Sequence, residues 1–351
     1  FKQKTAYEIS TRDWSSDVCS SDLMTATIHP TAIVDASAVI GEGVTIGPWV
    51  YVGPNCTVGA GSVLAMRATL EANVRLGAKV KVGIGTVLGG LPQDLKFKGE
   101  ETWVEIGDGT TIREYSTINR GTSESFKTTV GSNCFLMSYV HLAHDCHVGN
   151  NVIISNGTQL AGHVVVEDYA GISGLCAVHQ FSRIGAHAYI GGCSRVPKDV
   201  PPYVKAVGNP IKLYGLNSVG LSRRGFSPAT LAELKKAYRL FFRSELNVSQ
   251  AMERARAELT PSKELEHLLT FLRHATAENF LRPEHLASLL VEHDAPALLE
   301  RMARFRTLEQ DLPEHERQQC LGRKQNVTRR PSHRSFTSQG GPRQNPRRAR
   351  S

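Results

Sequence analysis

An apolar residue recurs at every sixth position through the middle of this chain, in a single phase, from Ile28 to Val196. The series runs Ile28, Val34, Ile40, Ile46, Val52, Val58, Leu64, Leu70, Leu76, Val82 and Leu88. It resumes at Ile106, Ile112 and Ile118, and again from Val130 to Val196. A period of six matches neither the helical repeat nor the alternation of a strand. It is the signature of a parallel β-helix built from hexapeptides. Each hexapeptide supplies one short strand and one turn, so three of them close a coil of a triangular prism. The position four after each aliphatic is small or β-branched (Val44, Cys56, Ser62, Ala68, later Cys134, Cys146 and Thr158), as a narrow interior requires. Gly, Asn, Asp and charged residues fill the intervening positions and suit tight turns.

Two polar stretches, 89–105 and 119–129, read as loops thrown outward from the prism, the kind of interruption that often marks the binding face of a repeat array. After Val196 the pattern changes, and Pro197, Pro201, Pro202 and Pro210 punctuate a connector. Ser227-Pro228 then offers an N-cap and an N1 proline ahead of Leu231, Leu234, Tyr238, Phe241 and Phe242 at helical spacing. Leu265, Leu268, Leu269 and Leu272 repeat the theme. The predicted organisation is a β-helix over 24–206 and a small α-helical domain over 207–276, packed on the end of the prism. A further helical segment over 277–320 and a basic tail over 321–351 follow.

The ends change the meaning of the charge. Residues 1–23 have no initiator Met and no apolar core, so they do not read as a signal peptide. They read as a foreign leader, with Met24 as the expected natural start. Residues 321–351 hold nine Lys or Arg and no acid amid Gly, Pro and Ser. Without the two ends the formal charge of +8 vanishes and the body is near neutral, so the basic balance is no argument for nucleic acid as a partner. Four of the seven cysteines (Cys56, Cys134, Cys146, Cys176) sit in the small interior slot, which is packing rather than a disulfide framework. No stretch is long enough to be an integral membrane segment. A cytoplasmic location is expected.

The repeat also serves as a ruler. Residues eighteen apart occupy the same place on successive coils, about 4.8 Å apart. His144, Gly162 and Gln180 stand in that relation, as do Asp145 and His163. One patch thus gathers two imidazoles, a carboxylate, a carboxamide and a glycine amide. A histidine oriented by a carboxylate is a general base, and a glycine N–H one coil away can stabilise an oxyanion. A second chemistry, zinc on His141, His144 and His147, is disfavoured because turn geometry sends these side chains in different directions. No metal site is expected. His147 and His187 read as polar histidines on turns.

These residues carry a specific resemblance. The runs His141-Leu142-Ala143-His144-Asp145-Cys146, Leu160-Ala161-Gly162-His163, Ala177-Val178-His179-Gln180-Phe181, Gln93-Asp94-Leu95-Lys96 and Gly220-Leu221-Ser222-Arg223-Arg224-Gly225-Phe226 closely resemble the acyl-carrier-protein-dependent UDP-N-acetylglucosamine O-acyltransferases, which open lipid A synthesis. The resemblance covers Met24 to about Thr276. It implies a left-handed parallel β-helix and a homotrimer with sites between neighbouring prisms. It also implies transfer of an (R)-3-hydroxyacyl group from acyl carrier protein to the glucosamine 3-hydroxyl. No resident cofactor is implied, since the acyl group rides on the phosphopantetheine of the carrier protein. Carried across, His144 is the base, Asp145 its support and Gly162 the oxyanion donor. Gln93, Asp94 and Lys96 match sugar contacts, and His141, His163 and Gln180 match sugar or phosphate contacts. Asn217, Arg223 and Arg224 match nucleotide-binding groups. Gly192 matches the position that limits acyl length, and glycine there favours a longer chain.

One departure stands out. Members of the family often carry Glu where this chain has Val219, so any uridine contact from that carboxylate is absent. Two other readings stay open at this stage. One is an N-acyltransferase of the same pathway, against which the Arg-Arg-Gly-Phe and Gln-Asp-Leu-Lys runs argue. The other is a non-catalytic repeat scaffold, against which the His-Asp-Gly constellation argues.

Overall fold

The computed structural model describes residues 25–280, with side chains described to 274. All of these lie in one compact unit. The leader over 1–23, the tail over 321–351 and nearly all of the segment read over 277–320 lie outside the described residues.

Among the described residues, strands mostly two residues long form three sheets of 11, 9 and 8 strands, and through the prism up to its last coil each strand pairs in parallel with the strand three further along the chain. Within a typical pair such as His141–Leu142 or Tyr51–Val52, the first side chain faces out and the aliphatic faces in. After Phe271 of the helical region, the aliphatic series supplies the largest fully buried side chains, among them Ile46, Leu64, Leu88, Leu142 and Leu160. The small slot is equally dry. Several of its hydroxyls donate to backbone, as Ser62 Oγ does to Gly77 O at 3.0 Å and Thr158 Oγ1 to Ser173 O at 2.9 Å, while those of Thr128 and Ser182 are buried without a hydrogen-bond partner among the described residues. Cys56, Cys134, Cys146 and Cys176 are buried free thiols, and burial pushes Cys146 up to about 12, which suits filler rather than nucleophile.

Register measures the loops. Most partners are eighteen apart, as in His141↔Gln159. Across the first interruption they are thirty apart, as in Val87↔Thr117, and across the second twenty-four, as in Thr117↔His141. The insertions are therefore twelve and six residues, whole hexapeptides, so the phase survives both. Strand pairing also reaches into both stretches read as loops. Trp103–Ile106 pairs with Lys127–Val130, and Val104 and Thr128 fill the interior slot. The outward excursions narrow to 91–102 and 120–126.

Most corners turn on a left-handed residue, again at six-residue spacing: Tyr139 (φ 63), Asp145 (φ 58), Asn151 (φ 56), His163 (φ 61), Tyr169 (φ 62), Leu175 (φ 58), Phe181 (φ 63), His187 (φ 57). For side chains other than Gly, Asn or Asp this costs about 1–2 kcal/mol each. Two contacts offset it. The turn N–H donates to the coil below, as from His163 to His144 O (3.0 Å) and from His187 to Asp168 O (3.0 Å). Aromatic rings on successive turns also stack, as Tyr115 does on Tyr139 with centroids 5.4 Å apart.

The prism ends in a hairpin. Val204–Val207 pairs parallel with the last coil and antiparallel with Lys212–Leu216, so the boundary read at 206 cuts through one structural piece. Among the described residues four helices follow: α1 (Ser218–Arg223), α2 (Pro228–Phe242), α3 (Val248–Glu258) and α4 (Lys263–Phe280). Ser227 caps α2 as its sequence predicts, accepting from Thr230 N–H. Helix α3 escapes a hydrophobic reading because it buries only Ala251 and Ala255, although Asn247 and Gln250 form a capping box. Helix α4 anchors to the prism through His267, whose Nε2 lies 2.9 Å from Glu167 Oε2 and whose Nδ1 shares a 2.9 Å hydrogen bond with the Tyr203 hydroxyl.

Candidate active site

His144 and Asp145 form one corner of the prism. Asp145 takes the left-handed position, which Asp tolerates, and its carboxylate turns back to accept from His144 Nδ1 at 2.9 Å. Asp145 as a whole is 1% exposed. Burial alone would raise its pKa, but hydrogen bonds from Ser125, Thr122 and His144 outweigh burial and bring it down to about 2. An ionised carboxylate can only accept, so His144 Nδ1 carries a proton, and in the neutral imidazole Nε2 then presents its lone pair.

The next coil completes the constellation. A Cβ built on Gly162 would lie 2.6 Å from His144 Cε1 and 2.7 Å from Nε2, so only glycine leaves room for the ring. Among the described residues no backbone carbonyl accepts from the Gly162 N–H. His163 Nε2 lies 3.9 Å from Asp145 Oδ2, and its ring meets His144 edge-on at 5.0 Å and stacks on Phe181 at 4.4 Å. Burial holds His163 below the ordinary histidine range, with Asp145 working against it.

His141 opens the adjoining face. Its Nδ1 shares a 2.7 Å hydrogen bond with Thr117, burial and the neighbouring His144 lower its pKa, and it lines a groove of ≈ 370 Å³ with Gln93, Tyr115, Thr117, Tyr139 and Gln159. Asp94 and Lys96 lie beside Gln93 in the first loop, where the Asp94 carboxylate accepts from Lys96 N–H at 2.9 Å and acts electrostatically on His163. Gln180 is exposed one coil above Gly162, where Phe181 N–H donates to Gly162 O. His147 stands on a strand rather than a turn, facing out beside Thr129 on a different sheet from His141. The three imidazoles considered for zinc therefore do not converge. The ligand-type atoms that do come within 4.8 Å of one another belong to His144, Asp145 and His163, and the carboxylate among them already accepts from the second loop.

Asn217, Arg223 and Arg224 lie elsewhere, beside the 169–187–203 corner. The Asn217 side chain caps α1, accepting from Gly220 N–H, and donates to His187 O at 3.0 Å. Arg224 sits over Tyr169 at 4.5 Å. With Tyr169, His187 and Phe226 it lines a second groove of ≈ 410 Å³. Here His187 stands on a turn as read, but its reading as merely polar needs correcting. Its ring stacks between Tyr169 (4.8 Å) and Tyr203 (5.8 Å), and burial, then Arg224 and His267, push it down to about 4. Arg223 is exposed, and Val219 is 62% exposed on the same short helix. Gly192 lies on the remaining corner, exposed.

Sequence reasoning missed Thr122 and Ser125. Thr122 donates to Asp145 through its N–H (2.9 Å) and hydroxyl (2.7 Å), and Ser125 does so through its N–H (3.3 Å) and hydroxyl (2.5 Å). They stand in an insertion where the eighteen-residue ruler does not apply. Their only signal was a hydroxyl-rich loop entering near the base.

Prism and site together define a hexapeptide-repeat acyltransferase. A family model for bacterial transferase hexapeptides (six repeats) matches residues 25–60, 37–72 and 127–162, and one for domain 2 of UDP-N-acetylglucosamine O-acyltransferase matches 199–279. An acyl-[acyl-carrier-protein]–UDP-N-acetylglucosamine O-acyltransferase from Gloeothece citriformis is 45% identical over 192 residues, 55% of this chain and 69% of that one. One from Synechocystis is 50% identical over 169 residues, 48% of this chain and 61% of its own length. Among solved structures, the UDP-N-acetylglucosamine acyltransferase of Bacteroides fragilis superposes with a TM-score of 0.69 at 42% identity, covering 70% of this chain and 97% of that one. The Moraxella catarrhalis O-acyltransferase gives 0.69 at 40% identity, covering 71% and 97%. The chain belongs to the UDP-N-acetylglucosamine O-acyltransferase family, and its coils wind as a left-handed β-helix.

Proposed function

We propose that this protein transfers an (R)-3-hydroxyacyl group from the thioester of acyl carrier protein to the 3-hydroxyl of UDP-N-acetylglucosamine, with His144 as general base. The observation that carries this reading is the His144 imidazole, held through Nδ1 by a buried carboxylate and lying against a glycine one coil away. His144 Nε2 takes the hydroxyl proton as the sugar oxygen attacks the thioester carbonyl. The Gly162 N–H stabilises the oxyanion, and the intermediate collapses as the sulfur leaves and collects the proton from His144. A placed base contributes about 10²–10⁴ in rate and one oxyanion donor about 10²–10³.

Gln93, Asp94, Lys96, His141, His163 and Gln180 would bind the sugar and its phosphates around this corner. Asn217, Arg223 and Arg224 would serve the nucleotide, with guanidinium forks suited to a diphosphate. In one chain these groups occupy two different corners. A homotrimer with sites between neighbouring prisms would unite them. The acyl donor brings its own phosphopantetheine, so no resident cofactor enters the scheme. No helix among the described residues is long and apolar enough to cross a membrane, and we place the reaction in the cytoplasm.

The test is product mass spectrometry with UDP-N-acetylglucosamine and a mixed-length 3-hydroxyacyl-carrier-protein pool, run beside a glucosamine-amine acceptor. His144→Ala is expected to lose about 10²–10⁴ of the rate. Near-native turnover in that variant would remove the base assignment, and preference for the amine would move the chain to N-acylation.

A further inference from the structure

The second loop is built around one carboxylate. Besides His144, the hydrogen-bond donors to the Asp145 side chain among the described residues come from Thr122 and Ser125: two backbone N–H groups and two hydroxyls. The loop leaves the prism after Asn119, returns at Lys127, and buries Thr122 to 4% exposure in doing so. We propose that Thr122 and Ser125 are positioning residues for the transfer reaction: their hydroxyls fix the Asp145 carboxylate in one orientation and temper its charge, and so set the tautomer and basicity of His144. The inference rests on His144 being the base.

Two physical consequences follow from the geometry. Oδ2 accepts from both the Thr122 hydroxyl and His144 Nδ1, so the hydroxyl shares the oxygen that polarises the imidazole. A carboxylate stripped of other donors concentrates its charge on Nδ1–H, stabilises the imidazolium and makes the base protonate at higher pH. It also loses the contacts that keep Asp145 itself ionised in the acid range. Both effects move activity in the same direction, toward loss at the acid side. The other titratable or charged groups around this carboxylate are His163 on the next coil, Cys146 and His147 just after it, Glu124 in the same loop, and Asp94 and Lys127, which act on His163 and His147. Of these, none approaches Asp145 as closely as the two hydroxyls.

The experiment compares Ser125→Ala, Thr122→Val and the double variant with the full chain. The readouts are the pH profile of kcat/KM and ¹⁵N-histidine NMR of the substrate-free protein. The double variant should move the acid limb up by about one pH unit, with the KM for the sugar nucleotide little changed. Ser125→Ala alone, which removes one hydroxyl, should move it about half as far. Thr122→Ser and Ser125→Thr should restore the native limb. In the NMR, native His144 should carry its proton on Nδ1, and the double variant should show a mixed tautomer. A uniform fall in rate with an unmoved limb and an unchanged tautomer would overturn the proposal and leave the hydroxyls as loop packing. A changed tautomer with an unmoved limb would overturn His144 as the base while the loop's hold on it stands.

Discussion

His163 and His187 hold the same place in the hexapeptide, on neighbouring corners, with almost the same backbone (φ 61 and 57). Their surroundings make them different reagents. His163 stacks on Phe181 with one face and turns an edge toward His144 and the Asp145 carboxylate, which opposes the lowering of its pKa by burial. His187 is enclosed by Tyr169, Tyr203 and Phe226 with Arg224 at hand, and both burial and cations keep it neutral. The repeat gives both rings the same stance, and the segment covering each corner decides its chemistry. Over one corner that is an inserted loop of 120–126, and over the other it is the helical region that begins at α1.

The sharpest way to break the contrast is at the glycine that makes room for the base. Gly162→Ala puts a methyl 2.6 Å from the His144 ring, which must then swing off its carboxylate. The rate should fall by about 10²–10⁴, as though the base were removed. Thermal unfolding should move little, since the ring can turn toward solvent. Native-like turnover would show that the corner does not depend on this packing. On the other side, His187→Ala removes a ring from an aromatic stack. It should cost about 1–3 kcal/mol of stability in denaturant melts and raise the KM for the sugar nucleotide, with the acid limb of the rate profile unmoved. A shifted limb would mean that His187 takes part in proton transfer after all.

The corners should also separate along the pH axis. Native His187 resists protonation down to about 4, whereas an unfolded histidine titrates near 6.5. Its contribution to stability is therefore complete above 6.5 and drains away as pH falls toward 4. His141, His147 and His163, also lowered, add in the same direction. Asp145 titrates near 2 in the fold against 3.8 without it, so its contribution is complete above 3.8 and is lost as pH falls through 2. Urea melts from pH 7 to 2 should show two steps of weakening. His187→Phe should flatten the upper one by roughly 2 kcal/mol at most, given the partial exposure of the ring. An unchanged upper step would show that the ring is more solvated than its stacking partners suggest.

How far the chain could be read follows from the same division. Wherever the period of six holds, position predicted contact. Gly162 against His144, and Asp145 near His163, were legible as eighteen-residue spacings, and Tyr169 on His187 obeys the same ruler. Tyr203 does not, because the coil has already lost two residues by Val200, which pairs with Ile184 sixteen residues before it, and Phe226 arrives from beyond the prism altogether. The aromatic enclosure of His187 was thus invisible to periodicity, and so was the hold of Thr122 and Ser125 on Asp145. The phase also gives no measure of how far strand pairing invades a loop. The interior slot would have done so, since Val104 and Thr128 sit two residues before Ile106 and Val130 and fill it.

The smallest expected effect is the most discriminating about glycine itself. Gly162 and Gly192 share the first turn position of their hexapeptides, on different corners, and neither is needed there for its own backbone. At 162 an added Cβ collides with the base. At 192 it would meet Gly174 O at 3.4 Å and Ser173 Cβ at 3.8 Å, ordinary contact distances. Gly192→Ala should therefore change stability by less than about 1 kcal/mol, with a slight gain from the stiffer unfolded chain. If the acyl chain passes this corner, the methyl shortens the groove from outside. The product distribution from a mixed-length acyl pool should then move toward shorter chains while the total rate holds. An unaltered distribution would mean that the chain is measured elsewhere on the prism, and that this glycine reflects only the tolerance of an uncrowded turn.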